Sequence, residues 1–211
     1  MTPSRILITR ENVKNFKIIS FVFLVLLLTA CGRSKESQFY VLIPIPPETA
    51  QVKRYHGLRI GIDKVSIPGY AQRSQLIIHC TKYRANIEEY HQWAEALTTN
   101  VTRVIDTNLS TLLPGAIVES SPWDSKFLPD YHLQFNISQY EVDIHGNSVL
   151  RAEYIIYKQE KIIKKAEVYY QIKLSSVAPE TLVISMNKNL TQLTYEIAGY
   201  FKKSKPTVVY K

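Results

Sequence analysis

Alternating and continuous runs of apolar residues predict four strands in the first half of the chain. Residues 58–67 alternate between apolar and polar side chains, which is typical of a strand with one buried face. The continuous apolar run at residues 39–43 and the segment at residues 75–81 have the composition of two more strands. A short fourth strand is predicted at residues 86–90. Pro68-Gly69 marks a turn before the third of these segments.

Residues 131–174 predict three antiparallel strands. Apolar side chains alternate along the first of them, and the parity of the apolar positions changes at Ser138-Gln139. One extra residue exchanges the two faces of a strand, so this change predicts a β-bulge. His145-Gly146-Asn147 supplies the first hairpin turn.

Two amphipathic helices are predicted by apolar residues three and four positions apart. The first stripe covers residues 93–112, with Asn108 filling one of its positions, and Pro114-Gly115 ends it. The second stripe covers residues 183–201. Helices with one apolar stripe and alternating strands together predict an α/β fold. We expect a two-layer domain in which a mixed, mostly antiparallel β-sheet packs against two main helices.

The first thirty residues have the pattern of a bacterial export signal. Four basic residues precede an apolar stretch at residues 18–30. A membrane-spanning helix needs about 20 apolar residues, so this stretch is short for one, although an N-terminal membrane anchor is the alternative. Leu28, Thr29 and Ala30 stand directly before Cys31. This arrangement resembles a lipobox, the sequence that a lipoprotein signal peptidase recognises.

The lipobox resemblance implies a chain that is cleaved and lipidated. Cleavage would remove residues 1–30 as a signal peptide, and Cys31 would carry a diacylglyceryl group and an N-acyl chain. Two or more acyl chains hold a protein stably on a bilayer. Gly32 follows, and by resemblance to the sorting pattern of enteric-type bacteria it favours transport to the outer membrane, on its periplasmic side.

The remaining chain is expected to form one domain between two short polar segments. Residues 31–38 hold the lipidated cysteine and a tether, residues 39–201 form the domain, and residues 202–211 form a basic tail that frays. The whole chain is 45% apolar, which argues against disorder. Its 26 basic and 18 acidic residues become 22 and 17 without the signal peptide, a net charge of +5. An exported lipoprotein does not meet DNA, so nucleic acid is not an expected partner.

The sequence contains no established catalytic or metal-binding motif. GxSxG, P-loop, GxGxxG, HExxH and EF-hand patterns are absent from it. His91 and Glu95 are four residues apart and could share one side of a helix, but a zinc site needs further ligands, so a solvated pair is favoured. His79 and Cys80 are neighbours on a predicted strand and should face opposite sides, with Cys80 buried as a small apolar residue. We therefore predict neither an enzyme nor a metal site, and no cofactor besides the acyl chains on Cys31.

Residues 59–115 resemble a known family. The resemblance is carried by the sequence RIGIDKVSIPGYAQRSQLII, the segment EEYHQWAEAL and the helix TTNVTRVIDTNLSTLLPG. Family members show a proline followed by Tyr, Leu and Arg before an apolar strand, and then Trp-Ala-Glu-Pro-Leu. The matching residues here are Pro68, Tyr70, Arg73 and residues 93–97, with Ala96 in place of the usual proline. In these motifs the chain is similar to the PqiC-like group of ABC-type transport auxiliary lipoproteins.

The resemblance implies a role in moving lipids between two membranes. Such lipoproteins act beside MCE-domain proteins, which form tunnels across the periplasm, and beside inner-membrane transporter components. The protein would dock the far end of that assembly at the inner leaflet of the outer membrane, without covalent chemistry. Tyr70, Arg73 and Trp93 are the candidate residues for the partner surface. A homo-oligomer would suit a ring-shaped partner.

Two other functions stay open at this point. One is an envelope lipoprotein that activates cell-wall synthesis or serves a secretion system, and so binds a different periplasmic partner. The other is a periplasmic hydrolase, which the missing nucleophile–base pattern disfavours.

Overall fold

Eight β-strands, a 3₁₀ turn and two α-helices form the described part of the chain, which in this computed structural model comprises residues 20–21, 35–47 and 54–204. In chain order the strands are β1 (Gln38–Tyr40), β2 (Arg59–Ser66), β3 (Gln75–Thr81), β4 (Arg84–Trp93), β5 (Ile117–Ser120), β6 (Tyr131–Asp143), β7 (Asn147–Lys158) and β8 (Lys161–Lys173). The helices are α1 (Leu97–Leu112) and α2 (Pro179–Ser204), and the 3₁₀ turn is Gly69–Gln72.

Strand β6 is the centre of a single mixed sheet. One of its edges pairs antiparallel with β7, which pairs antiparallel with β8. Its other edge is shared, because β2 runs parallel to the first half of β6 and β3 runs parallel to its second half. Beyond β2 lies β5, and beyond β3 lie β4 and then β1. The longest ladders are antiparallel and both helices pack on the sheet, so the predicted α/β fold with a mixed, mostly antiparallel sheet is confirmed.

The bulge and the turn predicted in the long strands are both confirmed. Ile137 and Gln139 of β6 pair with consecutive residues of β7, so Ser138 is the extra residue. In the turn after β6, Gly146 has a φ of +78°, which glycine adopts without strain. The bulge lets both halves of β6 keep an apolar face towards the helices although the apolar positions change parity.

Several predicted boundaries differ from the structure. The fourth strand, predicted at residues 86–90, is longer and runs from Arg84 to Trp93. Regular strand pairing of the first segment ends at Tyr40 rather than at residue 43. Helix α1 begins at Leu97 and not at residue 93. Trp93 is instead the last residue of β4, and its backbone N–H donates a hydrogen bond to Ser74 O at 2.6 Å. Helix α2 continues to residue 204, so the predicted tail, residues 202–211, starts inside the helix and its remainder lies outside the described residues.

The hydrophobic core lies between the sheet and the two helices. The predicted stripes of α1 and α2 supply one side of it, and the inward faces of β2, β6 and β7 supply the other. Its fully buried members include Ile60, Val101, Val104, Ile105, Leu109, Leu133, Leu150, Ile156, Leu190, Leu193 and Ile197. Burial of side chains of this size is the main favourable term that holds the two layers together.

The extended segment at residues 41–47 is bound to α1 by a buried side chain. Asn100 Oδ1 accepts a hydrogen bond from the Leu42 N–H at 2.6 Å, and Asn100 Nδ2 donates to Leu42 O at 3.0 Å. Both residues are buried, with 0% of Leu42 and 1% of Asn100 exposed. One amide side chain therefore satisfies both backbone groups of a residue that water cannot reach.

Two more asparagines hold the same segment. Asn108 of α1, also buried, accepts from the Ile45 N–H at 2.8 Å. Asn187 of α2 accepts from the Ile43 N–H at 3.0 Å in an exposed position. We call Asn100, Asn108 and Asn187 the asparagine clamp. It replaces strand pairing with side-chain hydrogen bonds as the segment leaves β1.

Tyrosine hydroxyl groups join the sheet to α2. Tyr140 donates to Met186 O at 3.1 Å, and the Glu196 carboxylate accepts from Tyr154 at 2.9 Å and from Tyr170 at 2.6 Å. Burial is the main cause that raises the pKa of all three tyrosines, and Glu196 raises the pKa of Tyr154 and Tyr170 further.

Candidate functional site

The 3₁₀ turn connects β2 with β3, the two strands that pair with the same edge of β6. Ala71 at its centre is buried, and the Ala71 N–H donates to Pro68 O at 3.0 Å. Anchored in this way, the turn presents Tyr70 and Arg73, which are both exposed. We call the stretch from residue 69 to residue 73 the Tyr70 turn.

A cluster of polar side chains on β3 and β6 holds Tyr70 in place. Its hydroxyl donates to Glu141 Oε2 at 3.0 Å, and its ring meets the His79 ring edge-on with 5.6 Å between centroids. His79 Nε2 lies 3.3 Å from the same carboxylate oxygen, without the alignment of a hydrogen bond. Gln139 Nε2 donates to Glu141 Oε1 at 3.2 Å. The cluster orients the tyrosine while 37% of that residue stays exposed.

The surroundings of Tyr70 stabilise its neutral form. Burial raises the pKa of Tyr70 to about 12, and both the charge of Glu141 and the hydrogen bond to it act in the same direction. An unfolded tyrosine titrates near pH ~10, so above that pH the folded state keeps a proton that the unfolded chain releases. The stability that Tyr70 contributes is therefore complete below the unfolded pKa and is lost as the pH rises through the folded pKa.

We expect the variant Tyr70→Phe to show a weaker loss of stability than the parent between about pH 9 and about pH 11.5. At the lower pH the parent should be the more stable protein, because its hydroxyl donates to Glu141. At the higher pH the difference should shrink, since phenylalanine has no proton to lose. Urea denaturation at both pH values measures this, and the other buried tyrosines affect both proteins equally. Parallel pH profiles for the two proteins would contradict the interpretation.

Trp93 lies behind the Tyr70 turn. Only 7% of this residue is exposed, and together with Tyr70 it borders a cavity of about 20 Å³ that Met186 of α2 also lines. A space of this size holds about one water molecule. The burial of Trp93 places it behind the exposed residues Tyr70 and Arg73, and its part in a partner surface stays a prediction.

An open groove of about 790 Å³ borders Tyr70 on the face of the sheet opposite the helices. Its lining residues carry polar groups above apolar carbon surface and are Tyr70, His79, Cys80, Thr81, Lys82, Ser138, Gln139, Glu141, Asp143 and His145. His79 and Cys80 both border it because a register shift between β3 and β4 makes Cys80 an extra residue. The prediction that these neighbours face opposite sides is thus corrected, and Cys80 is only partly buried.

Asp143 fixes the shape of the groove at the end of β6. Its carboxylate accepts hydrogen bonds from the backbone N–H groups of His145 and Asn147, both at 2.9 Å, and from the Asn147 side chain at 2.7 Å. Burial alone would raise the pKa of Asp143, but these hydrogen bonds lower it overall. These hydrogen bonds hold the turn after β6 in one conformation at the border of the groove.

The pair considered as zinc ligands is engaged elsewhere. His91 Nδ1 lies 2.8 Å from the Tyr40 hydroxyl, and Glu95 accepts from Arg103 at 2.6 Å. Among the residues that the structure describes, no group of three or more His, Cys, Asp or Glu side chains could hold a metal ion.

The residues of the predicted lipidation site, Leu28, Thr29, Ala30, Cys31 and Gly32, lie outside the described residues. Within the described ranges, no helix has the length and apolarity needed to cross a membrane.

Sequence comparison gives the relatives of the chain. A model of the family described as "ABC-type transport auxiliary lipoprotein component" matches residues 40–198. Two similar proteins are called intermembrane transport lipoprotein PqiC, one from Escherichia coli strain K12 and one from Shigella flexneri. Each is 23% identical to this chain over 139 residues, which are 65% of this chain and 73% of the relative.

Two solved structures share the fold. A crystal structure of an uncharacterized protein has a TM-score of 0.67 at 18% identity and covers 79% of this chain and 99% of its own. A protein from Xanthomonas campestris has a TM-score of 0.65 at 14% identity and covers 78% of this chain and 94% of its own. At such low identity the likeness extends to the arrangement of strands and helices alone.

Proposed function

The chain belongs to the ABC-type transport auxiliary lipoprotein component family, and on this premise we propose that it is a non-catalytic part of an MCE-type, Pqi-like system for intermembrane lipid transport. One observation carries the proposal: the family match at residues 40–198 spans the Tyr70 turn, the groove, α1 and most of α2. The similar proteins named intermembrane transport lipoproteins support the same role.

The proposed location is the inner leaflet of the outer membrane. Acyl chains on Cys31 would hold the protein there, and Gly32 would direct its sorting to that membrane. The seven residues from Gly32 to Gln38 extend at most about 25 Å. A domain at residues 39–201 on so short a tether stays close to the lipid surface, where the end of a periplasmic tunnel would meet it.

The proposed partner surface is the Tyr70 turn with the adjoining groove. Tyrosine and arginine are enriched among residues that dominate protein interfaces, and Tyr70 and Arg73 both lie exposed on a turn whose backbone is held by buried Ala71. Buried Trp93 supports this turn from the core side. Because the turn is already ordered, a partner would not have to spend binding energy on ordering it.

Site-specific photocrosslinking in intact cells tests the proposal. A photoreactive residue in place of Arg73 is expected to capture an MCE-domain protein, identified by mass spectrometry. The matched control replaces Tyr169 of β8, which is 56% exposed but lies at the opposite edge of the sheet. The control is expected to capture little or none of the same protein.

Two results would contradict the proposal. Capture of cell-wall synthases or secretion components from position 73 would replace the transport role by the alternative envelope function. Equal capture of an MCE-domain protein from both positions would retain the role but remove the Tyr70 turn as its docking surface.

A further inference from the structure

Three large apolar side chains stand exposed in a row at the N-terminal edge of the domain. Phe39 is 64% exposed, Val41 is 42% exposed and Ile43 is 61% exposed. Between them, Tyr40 and Leu42 turn towards the protein, and Leu42 is fully buried. Alternation of this kind puts every second side chain on one side of an extended chain. We call Phe39, Val41 and Ile43 the apolar row.

The apolar row is part of a well-bound backbone. The Ala94 N–H donates to Tyr40 O at 2.8 Å, between the first two residues of the row. The asparagine clamp binds both backbone groups of Leu42 and the N–H of Ile43. The outward direction of the three side chains is therefore set by the fold, and the exposed apolar area exists before any partner arrives.

Helix α2 extends the apolar area by one residue. Ile184 is 48% exposed and lies one helical turn before Asn187, whose side chain accepts the Ile43 N–H. Exposed Lys188 follows directly. Single exposed apolar residues need no explanation, but four that lie together indicate an interaction surface.

We infer that the apolar row and Ile184 rest in the lipid leaflet that carries the acyl chains of Cys31, and so set the orientation of the domain on the membrane. This inference rests on the lipidation included in the proposed function. Phe39 is eight residues beyond Cys31, a span of about 28 Å at full extension, so the row is held within reach of the bilayer.

The size and composition of the patch favour lipid over protein. A stable protein interface uses roughly 20–30 residues on each side, far more than four side chains provide. A contact between the apolar row and lipid can be much smaller than a protein interface, because the acyl chains already keep the protein on the membrane surface. Lys188 at its border can place its ammonium group among phosphates while its aliphatic part lies along the apolar area.

Fluorescence quenching tests the inference on the acylated, full-length mature protein. An environment-sensitive NBD group is attached at Val41→Cys in a Cys80→Ser background, and the protein is reconstituted into phosphatidylethanolamine–phosphatidylglycerol vesicles with or without nitroxide-labelled lipid. Interfacial apolar segments lie about 5–10 Å into the headgroup and acyl boundary, so the emission should shift to the blue and lose most of its intensity to shallow nitroxides.

A label at Tyr83→Cys is the matched control. Tyr83 is 97% exposed and precedes β4, whose other end pairs with β1. Arg84, the next residue, pairs with Thr81, whereas Gln92, the partner of Phe39, pairs with Gln75, so the two ends lie roughly 20 Å apart along the strand. The control label should neither shift nor be quenched.

A second reporter keeps the test independent of the label at position 41. With NBD at Ile184→Cys, the double change Phe39→Ser and Ile43→Ser should abolish most of the quenching while the protein still floats with the vesicles. Unchanged quenching in that variant would overturn the inference, as would an unquenched label at position 41. A blue shift without lipid quenching would also overturn it, because a second copy or another protein would then cover the row. Failure of the acylated protein to float would overturn the inference and the proposed anchoring together.

Discussion

Replacing Asn100 by leucine is expected to destabilise the domain by about 2–6 kcal/mol, because it leaves two buried backbone groups of Leu42 without partners, at about 1–3 kcal/mol each. Leucine branches at the same carbon as asparagine and is somewhat larger, so the change removes the hydrogen bonds without opening a cavity, and crowding can add to the loss. A typical domain is stable by only about 5–15 kcal/mol, which makes this a large fraction of the total. Urea denaturation gives the free energy of unfolding, and hydrogen exchange of the Leu42 amide reports the broken contact directly.

Asn187→Ala is the control for Asn100→Leu, because it removes an exposed hydrogen bond of the same asparagine clamp. Asn187 binds the neighbouring Ile43 N–H with the same kind of amide oxygen, but in an exposed position where water can replace it. That variant should lose less than about 1 kcal/mol. Equal losses for the two variants would mean that burial of the Leu42 backbone is not what gives Asn100 its importance.

The second large effect is expected from Cys31→Ser, which should remove the protein from the outer-membrane fraction. Serine offers no thiol for the diacylglyceryl group, and cleavage of a lipoprotein signal follows that modification. The variant should therefore keep residues 1–30 and carry no acyl chain. Density-gradient fractionation of membranes and intact-mass measurement check the two expectations.

Cys80→Ser is the matched control for the loss of a thiol. Cys80 lies in the folded domain, where its Sγ is 3.9 Å from Ile78 O. The Cys80→Ser protein should therefore still be cleaved, acylated and found in the outer-membrane fraction. A cleaved and acylated Cys31→Ser protein in the outer-membrane fraction would contradict the lipidation site and, with it, the anchoring part of the proposed function.

Features that depend on near neighbours in the sequence could be predicted. The strand at residues 58–67 follows from alternation, the strand at residues 75–81 follows from composition, and the bulge at Ser138 follows from one change of parity. These patterns are local because strand geometry relates a residue to the next two or three.

Features that depend on distant partners could not be predicted in this way. Asn108 fits the apolar stripe of α1 by spacing and was therefore expected to fill a place in it, whereas its role is set by Ile45, 63 residues earlier. The candidate site also depends on a distant partner, because the carboxylate that orients Tyr70 belongs to Glu141, 71 residues later. A polar residue inside an apolar stripe is the one local signal that pointed to the clamp.

Spacing also misplaced Trp93. Its distance of four residues from Leu97 fits a helix, yet Trp93 belongs to β4, where it pairs with Tyr40 of β1 and its backbone N–H donates to Ser74 O. Two residues with helical spacing can both be buried in the core although one lies in a strand and the other in a helix. Their backbone hydrogen bonds show which element each belongs to.

The asparagine clamp also determines how the domain would respond to tension. A pull on the tether enters the folded domain at β1, which pairs with β4 over only three residues. The load then passes to Leu42, Ile43 and Ile45, whose side-chain partners are divided between α1 and α2. The pull is thus borne first by the short pairing of β1 with β4 and then shared by both helices. Separation of β1 from β4 would leave residues 42–45 bound to the helices, so under tension the N-terminal segment should come away from the domain in two steps.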